Sequence, residues 1–322
     1  MEWNQKNEPI VPSFNDIIDA HKRIQPYIHR TPIITSKSLN SIAGCNLFFK
    51  CENFQKVGAF KARGALNAVL LLEKTKLSNG IATHSSGNHA QAIAYAGKIV
   101  GTKTTIIMPS SASIPKISAV RSYGAEIIFC EPTQQSREET LNSFIEKTKA
   151  IFIHPYDNFN VIAGQGTVAK ELLEDVSNLD FILTPVGGGG LLSGTLLTTK
   201  ATSPNTKVIG VEPSGADDAY RSIRDNKIYP SINPKTIADG LLTSLSQRTF
   251  YIIKNLVEKI ITVSEQAIIN AMKLLFERAK IVVEPSGAVP FAGVLEYPEI
   301  FQSKNIGIII SGGNVDFSKL PF

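Results

Sequence analysis

Short apolar runs alternate along the chain with longer segments in which apolar residues recur every three or four positions. The short runs predict strands, and several are continuously apolar, which is typical of strands buried on both faces. The longer segments predict amphipathic helices. Strands are predicted at residues 46–50, 80–84, 104–108, 126–130, 151–154, 181–186, 207–211, 259–263 and 305–310. Helices are predicted at residues 13–27, 61–74, 88–100, 136–149, 161–176 and 265–280.

The repeated strand–helix–strand units predict an α/β fold with parallel sheets flanked by helices. Ser13, followed three residues later by Asp16, resembles a capping box at the start of the first helix. A length of 322 residues is comfortable for two domains. Residues 80–157 have the pattern of a compact unit of four strand–helix steps, although the pattern alone does not show whether this unit stands apart.

Composition narrows the class of protein. Hydrophobic residues make up 43% of the chain and charged residues 19%, which is enough to bury a large core. The 33 basic and 28 acidic residues give a net charge of +5 without a block of like charges, which disfavours a nucleic-acid partner. Three scattered cysteines disfavour a disulfide framework or a cysteine zinc site. Because residues 1–12 are polar and no apolar run is long enough to span a bilayer, we expect a cytoplasmic protein without a membrane partner.

A lysine lies at the junction between a predicted strand and a predicted helix. Lys61 occupies the first turn of this helix, where the positive end of the helix dipole disfavours a second positive charge. A lowered lysine pKa favours attack on a carbonyl group. The spacing fits a catalytic lysine, but it fits an ordinary surface lysine as well.

Four consecutive glycines, Gly187 to Gly190, follow one predicted strand and precede a helical segment. A bare backbone at a helix start can wrap its N–H groups around a phosphate. The segment lacks the Gly-Lys-Ser/Thr of a P-loop and the third glycine of a dinucleotide fingerprint. It therefore predicts a site for a monophosphate, with a merely flexible loop as the alternative.

Three further segments combine polar groups with strand ends. Ser85, Ser86, Gly87 and Asn88 open a helix whose backbone N–H groups could bind a carboxylate, or they form an ordinary helix cap. Ser311 follows the last predicted strand, at the edge where ligands of open α/β sheets bind. The acidic segment at residues 212–218 could hold a hard cation, although its spacing alone favours a helix start decorated with acids.

Together these pieces resemble the serine racemase and serine/threonine dehydratase family, which are fold type II pyridoxal-phosphate enzymes. The resemblance extends from Arg30-Thr31-Pro32 to residues 311–316 and includes residues 46–52 and 163–167. It implies a tryptophan synthase β-like architecture of two α/β domains with the cofactor between them. A large domain of residues 1–73 and 158–322 would bind the cofactor, and a small mobile domain of residues 74–157 would close over the substrate.

The resemblance also assigns roles to single residues. Lys61 would hold pyridoxal phosphate covalently and take the substrate's α-proton. Further cofactor contacts would come from Phe60, Asn88, Gly187, Gly188, Gly189, Gly190 and Ser311. The substrate would be held by Ser85, Ser86, His89 and Thr243. Magnesium, calcium or manganese would bind Glu212, the Ala216 carbonyl and Asp218, which reverses the preference from spacing alone.

The activity that the resemblance implies is racemisation of L-serine with accompanying elimination to pyruvate and ammonia. Ser86 favours a racemase, because threonine-type dehydratases usually carry alanine there, although hydroxyaspartate dehydratases of similar type also carry the Ser-Ser pair. The alternative is a dehydratase of threonine, serine or 3-hydroxyaspartate, and Arg137 would suit the β-carboxylate of hydroxyaspartate. The chain departs from the racemases at Tyr156, where they usually have asparagine. A homodimer is expected, and Gln91, Lys116 and Asn314 match some positions that bind activating ATP.

Two other classes of protein also remain open at this point: a cofactor-binding protein without catalytic activity, and a nucleotide-binding oxidoreductase. Visible absorbance of a lysine-bound cofactor, abolished by borohydride, would count against both.

Overall fold

The computed structural model describes Trp3, residues 8–112 and residues 114–322, and its strands form two separate sheets. The strand order is β1-β2-β10-β7-β8-β9 in the six-stranded sheet and β5-β4-β3-β6 in the four-stranded sheet. The strands are β1 (Ile33–Ile34), β2 (Asn46–Cys51), β3 (Ile81–His84), β4 (Thr104–Pro109), β5 (Glu126–Cys130), β6 (Ile151–Phe152), β7 (Phe181–Pro185), β8 (Lys207–Pro213), β9 (Lys259–Val263) and β10 (Asn305–Ile310). Every predicted strand is present, and among the described residues only the short β1 was not predicted.

Helices connect the strands and cover the sheets. They are α1 (Phe14–Ile24), α2 (Lys37–Ala43), α3 (Lys61–Leu70), α4 (Lys74–Leu77), α5 (Asn88–Val100), α6 (Ile114–Ser122), α7 (Gln134–Thr148), α8 (Phe159–Asp175), α9 (Gly190–Thr202), α10 (Asp218–Arg224), α11 (Gln247–Leu256), α12 (Glu265–Leu274), α13 (Pro285–Glu296) and α14 (Pro298–Phe301). The predicted capping box is present, since the Ser13 backbone N–H donates to the Asp16 carboxylate (2.8 Å) and Ser13 Oγ accepts from the Asp16 N–H.

Helix α13 escaped prediction for a physical reason. It is buried on nearly all sides and carries Pro290 in its interior, so its sequence has no amphipathic period. The predicted helix at residues 265–280 is shorter than expected, because α12 ends at Leu274 and continues as one π-helical turn. Burial in the core therefore hides one helix and alters the end of another.

All strand pairs are parallel except β1 with β2, which is antiparallel. In the centre of the large sheet, Ile308 pairs with Phe49 on one side and with Leu183 on the other. Parallel strands place their carboxyl ends at the same edge. The loops that follow β7 and β10 consequently meet at one edge of the large sheet, and the loop that follows β3 leaves the equivalent edge of the small sheet.

Helices α3, α8 and α9 pack unusually closely because glycines line their contacts. A Cβ added at Gly164 on α8 would lie 2.6 Å from the Gly64 Cα on α3. One added at Gly194 on α9 would lie 2.5 Å from the Gly166 backbone nitrogen on α8. Real Cβ atoms do not approach so closely, so larger residues would push the helices apart. Helix α8 thus fixes the positions of two helices. One is α3, which begins at Lys61, and the other is α9, which begins at the last residue of the glycine tetrad, Gly187 to Gly190.

A fully buried ionic network fastens the start of α3. The Arg63 guanidinium donates to Glu52 (2.7 Å from Nε) and to Glu171 (2.8 Å from Nη1). Lys50 Nζ donates to Glu171 (2.7 Å) and to the Thr31 carbonyl (2.8 Å). Burial alone would raise the pKa of Glu171, but hydrogen bonds from Arg63 and Lys50 outweigh it and hold that pKa at about 2. The positive charges of two side chains cancel the negative charges of the other two. The network joins the end of β2 to α3 and α8.

The helices and the cysteines were both compared with the expectations from composition. Among the described residues no helix is long and apolar enough to cross a membrane. The cysteines, Cys45, Cys51 and Cys130, are all free and buried. The four-stranded sheet falls within residues 74–157, and the assignment of this segment as a separate mobile domain stays a prediction.

The buried network predicts a large stability loss when one anion is removed. We expect Glu171→Gln to lower the free energy of unfolding by about 3–5 kcal/mol, because Lys50 and Arg63 would remain buried without full charge compensation. Urea unfolding measures the change. Glu258→Gln, which breaks the exposed Lys207–Glu258 pair, is the control and should cost less than about 1 kcal/mol. Equal losses in the two variants would contradict a structural role for the network.

Candidate active site

The largest group of predicted site residues lies around one cleft of about 720 Å³. The cleft is bounded by the start of α3 and by the loops that follow β3, β7 and β10. The predicted residues that line it are Phe60, Lys61, Ser85, Ser86, Asn88, His89, Lys116, Arg137, Gly187, Gly188, Gly189, Gly190, Thr243 and Ser311. Gln91, Asn314, Glu212, Ala216 and Asp218 are not part of its lining.

Lys61 is held at the base of the cleft by the end of the last strand. The Phe60 N–H donates to the Ser311 carbonyl (3.0 Å), and Ala59 forms a β-bridge with Gly312. Lys61 Nζ donates to the Pro155 carbonyl (2.9 Å). Burial lowers the pKa of Lys61 to about 8, and the nearby Glu284 carboxyl offsets part of the shift. A larger fraction of this amine is therefore neutral and nucleophilic at neutral pH than of an exposed lysine.

The glycine tetrad forms a turn whose backbone lies against neighbouring side chains. Gly189 caps the thirteen-residue helix α9 with a left-handed φ of +83°, which disfavours other residues. A Cβ at Gly188 would lie 2.3 Å from the Tyr156 ring, and one at Gly187 would lie 3.1 Å from the Leu241 Cα. A side chain would therefore clash at Gly188, strain the backbone at Gly189 and make a tight contact at Gly187. The resulting bare backbone at a helix N-terminus is suited to a phosphate group.

The serine loop, formed by Ser85, Ser86 and Gly87, occupies the other side of the cleft. The Ser85 N–H donates to the Ile107 carbonyl (3.1 Å), and Ser85 Oγ accepts from the Gly87 N–H (3.3 Å). No atom lies within 4 Å of a Cβ built at Gly87, so the space beside this residue is open. Helix α5 begins at Asn88. The loop thus presents two hydroxyls and a helix N-terminus to a ligand-sized space.

Glu284 is a site residue that the sequence analysis missed. Its carboxylate accepts from Asn88 Nδ2 (2.8 Å), while Asn88 Oδ1 accepts from Asn314 Nδ2 (2.8 Å). Burial, with a further contribution from Asp239, raises the pKa of Glu284 to about 8. The available sequence signal was Glu284-Pro285 at the start of an apolar segment, since proline is favoured at the first position of a helix.

Burial disfavours the charged form of three histidines that lie near Lys61. His89 Nε2 lies 3.1 Å from the Ile153 carbonyl, which can only accept, and burial lowers the pKa of His89 well below its usual range. His154 Nδ1 accepts from the Asp157 N–H (2.8 Å), and burial lowers its pKa to about 3. Burial and Arg137 also lower the pKa of His84. Since the His89 side chain is turned to Ile153, its backbone N–H is the better group for a substrate carboxylate.

The charged residues at the cleft have different partners. Lys116 on α6 pairs with Asp239, and Asp239 was not identified from the sequence. Arg137 on α7 contacts the Thr133 carbonyl through Nε (3.4 Å). Gln91 is buried, and Asn314 is bonded to the Val57 carbonyl (2.7 Å) as well as to Asn88.

The proposed cation ligands lie in a separate buried pocket at the end of β8. Glu212 accepts from the backbone N–H groups of Ala219 (3.1 Å) and Tyr220 (2.7 Å). Both carboxylate oxygens of Asp218 are buried without a well-formed hydrogen bond. Burial, aided by Asp218, raises the pKa of Glu212 well above its usual range, and burial raises the pKa of Asp218 to about 6. The ionised forms of these two buried carboxyls are therefore costly in the absence of a nearby positive charge.

Comparison with known proteins agrees with this geometry. Residues 24–312 match the family described as pyridoxal-phosphate dependent enzyme. The chain is 50% identical over 312 residues to a beta-hydroxyaspartate dehydratase from Paracoccus denitrificans, with 97% of this chain and 99% of that protein covered. It is also 50% identical over 312 residues to a serine racemase from Dictyostelium discoideum, with 96% of each chain covered.

A solved structure gives the same result for the fold. The crystal structure of the Dictyostelium discoideum serine racemase superposes with a TM-score of 0.90 at 50% identity, and 95% of this chain and 99% of that chain are covered. The expected α/β architecture of fold type II, with parallel sheets flanked by helices, is confirmed, and so is the family resemblance. The chain belongs to the pyridoxal-phosphate-dependent enzyme family.

Proposed function

We propose that this enzyme racemises L-serine to D-serine and also eliminates water from serine, giving pyruvate and ammonia. The observation that carries the proposal is the placement of Lys61 and Ser86 on one cleft. Lys61 starts a helix joined to the six-stranded sheet, whereas Ser86 follows a strand of the four-stranded sheet. Two groups that can exchange protons therefore reach the same space from different sheets, as chemistry on both faces of an α-carbon requires.

The residues present fit pyridoxal phosphate. The glycine turn offers a phosphate cradle that a Cβ would fill, and the buried amine of Lys61 lies at the base of the same cleft. Phe60, Asn88 and Ser311 would contact the ring from the edge of the sheet. When bound, the cofactor supplies an electron sink for the charge left on the α-carbon after loss of a proton.

Different side chains would bind the substrate and transfer its α-proton. The Ser85 hydroxyl and the N–H groups at the start of α5 would hold the substrate carboxylate. Lys61, with its pKa lowered to about 8, would remove the α-proton on one side, and the Ser86 hydroxyl would exchange a proton on the other. Ser311 would give the cofactor's ring nitrogen an uncharged partner. The resulting sink is moderate, which suits loss of the β-hydroxyl as a second outcome.

The alternative is a dehydratase of threonine, serine or 3-hydroxyaspartate without significant racemisation. Arg137 favours the hydroxyaspartate version, because its guanidinium lines the cleft and matches a β-carboxylate in charge. One relative with 50% identity is named as a beta-hydroxyaspartate dehydratase. Parallel assays with L-serine, L-threonine and 3-hydroxyaspartate distinguish these substrates.

A divalent cation, Mg²⁺ or alternatively Ca²⁺ or Mn²⁺, fits the pocket of Glu212, the Ala216 carbonyl and Asp218. Its charge would compensate the two buried carboxyls, whose unpaired ionised forms are costly. Among the described residues no cluster of three or more His, Cys, Asp or Glu side chains could hold a metal. The ion would therefore rely on the backbone carbonyl and on water for its remaining ligands, as Mg²⁺ commonly does.

We expect a cytoplasmic homodimer whose small domain closes over the substrate and excludes water. ATP as an activator would use Gln91, Lys116 and Asn314, and Lys116 would then have to exchange Asp239 for a phosphate. The three free, buried cysteines suit a reducing compartment.

The variant Gly188→Ala tests the proposed phosphate site at the glycine tetrad. The added Cβ meets the Tyr156 ring, and overpacking of this kind costs about 1–3 kcal/mol, so we expect the affinity for pyridoxal phosphate to fall about tenfold or more. Equilibrium dialysis with absorbance of the bound cofactor measures the affinity. Lys200→Ala, an exposed change at the far end of α9, should bind as the wild type does. Unchanged affinity in the Gly188 variant would place the phosphate elsewhere.

The variant Ser86→Ala tests whether protons are transferred on both faces of the α-carbon. We expect formation of D-serine from L-serine to fall by about 10²-fold or more, the usual contribution of a positioned acid or base, while pyruvate formation stays within a few-fold. Chiral separation and pyruvate assay in the same reaction measure both products. Lys61→Ala should lose both. Retained racemisation in the Ser86 variant, or pyruvate as the only wild-type product, would argue for the dehydratase alternative.

The cation pocket is tested by thermal unfolding with Mg²⁺ or with a chelator, at saturating pyridoxal phosphate. Free Mg²⁺ at about 100 times its dissociation constant should stabilise the wild type by about 2.7 kcal/mol, because it binds the folded state only. Asp218→Asn should lose this response. Asp217→Asn, which changes a partly exposed carboxylate paired with Arg221, should keep it. The same response in both variants would exclude this pocket as the binding site.

A further inference from the structure

The connection between α10 and α11 covers part of the glycine tetrad. It consists of residues 225–246 and contains a single short helical turn. Its part from residue 239 to residue 243, called here the cover segment, lines the cleft. A Cβ added at Gly187 would lie 3.1 Å from the Leu241 Cα and 3.2 Å from the Gly240 carbonyl oxygen. The backbone of the cover segment therefore packs directly on the first glycine of the tetrad.

Ser286 ties the cover segment to α13. It is the second residue of this helix, it is almost fully buried, and it lines the cleft. Ser286 Oγ accepts from the Gly240 N–H (3.0 Å). A Cβ added at Gly240 would lie 2.9 Å from Ser286 Oγ, so the two residues meet closely. Leu241 is buried in the same apolar core as Ala288 and Val289 of α13, which keeps the cover segment against this helix.

The start of α13 is itself fixed beside the end of the last strand. The Glu284 N–H donates to the Gly312 carbonyl (3.1 Å). A Cβ added at Gly287 would lie 2.7 Å from the same carbonyl oxygen, so the helix packs tightly on the loop that begins with Ser311. Ser286 lies between these two contacts in the chain. Its hydroxyl therefore joins the cover segment to a firmly packed part of the large sheet.

The Ser286 hydroxyl has no role within its own helix. A serine at a helix start commonly caps that helix, but α13 begins after Glu284 without a side-chain cap. Within the described parts of the chain, the Gly240 N–H is the one partner of Ser286 Oγ. Towards the small sheet, the cover segment is tied by Asp239, whose half-exposed carboxylate pairs with Lys116. Because water screens exposed ion pairs, the bond to the buried serine is the firmer tie.

We propose that Ser286 is a positioning residue that holds the cover segment on Gly187 and thereby keeps the glycine tetrad in the shape that binds the cofactor phosphate. The inference rests on the proposed function, because it takes the tetrad as the phosphate site. Ser286 acts through Gly240 and Leu241, whose backbone lies against the tetrad, and it does not bind the phosphate itself. Loss of its hydroxyl weakens binding of the phosphate and leaves binding of the cofactor ring unchanged.

The test compares pyridoxal phosphate with pyridoxal, which lacks the phosphate. The holoenzyme of each variant is dialysed against graded concentrations of either compound, and absorbance measures the amount bound. We expect Ser286→Ala to weaken binding of pyridoxal phosphate about fivefold, the size of one neutral hydrogen bond, and to leave pyridoxal binding within about twofold. Ser264→Ala is the matched control. Its hydroxyl accepts the Ala267 N–H (3.2 Å) at the start of α12, and this variant should bind both compounds normally.

Gly240→Ala tests the same contact from the cover segment. The added Cβ meets Ser286 Oγ at 2.9 Å, whereas the nearest remaining atom in the Ser286→Ala background is the Cβ of residue 286 at 3.3 Å. We expect Gly240→Ala alone to weaken binding of pyridoxal phosphate about fivefold or more, since the cover segment must move away from α13. Added to Ser286→Ala, it should cost less than about twofold, because both changes act on one contact.

Equal weakening of pyridoxal phosphate and pyridoxal in Ser286→Ala would show that the serine acts on the ring site or on the fold as a whole. Losses that multiply in the double variant would show that the two residues act independently. Either result overturns the proposal, as does unchanged binding in Ser286→Ala. Turnover of L-serine by the wild type tests the proposed function separately, and Gly188→Ala tests the phosphate site itself.

Discussion

The buried network of Lys50, Glu52, Arg63 and Glu171 is the constraint on which the active-site geometry depends. Isolated charges are costly in a protein interior, so each member must keep its partners. These partners belong to the end of β2, to α3 and to α8. The network therefore fixes the start of α3 relative to the large sheet. Lys61 precedes the network's arginine by two residues, and its position at the base of the cleft follows from that anchor.

Glycine contacts extend the same constraint to the cofactor cradle. Helix α8 packs against α3 at Gly64 and Gly164, and against α9 at Gly166 and Gly194. Because α9 begins at the glycine tetrad, the predicted phosphate site and the predicted lysine are both positioned by one intervening helix. The serine loop comes from the other sheet. One side of the cleft is thus built on the closely packed helices α3, α8 and α9. The other side is the serine loop, which follows a strand of the four-stranded sheet.

Burial in the cleft disfavours the charged form of its titratable groups. Burial lowers the pKa of Lys61 to about 8 and that of His154 to about 3, and it raises the pKa of Glu284 to about 8. Desolvation is the leading cause of each shift. Groups with pKa values near the working pH can hold or release a proton at low cost. Lys61 and Glu284 have this property, whereas the histidines do not.

The sequence by itself determined the strand content and the α/β class, and it singled out Lys61, the serine loop, the glycine tetrad and Ser311, because apolar runs and helix starts are local signals. The roles of those residues came from the family resemblance. Only the tertiary structure revealed Glu284 beside Asn88, the pairing of Asp239 with Lys116, and the contact of Tyr156 with the glycine tetrad. These depend on segments far apart in the chain, and local periodicity carries no information about which strand end lies beside which loop. Likewise α13 has no amphipathic period, because its surroundings bury it on nearly all sides.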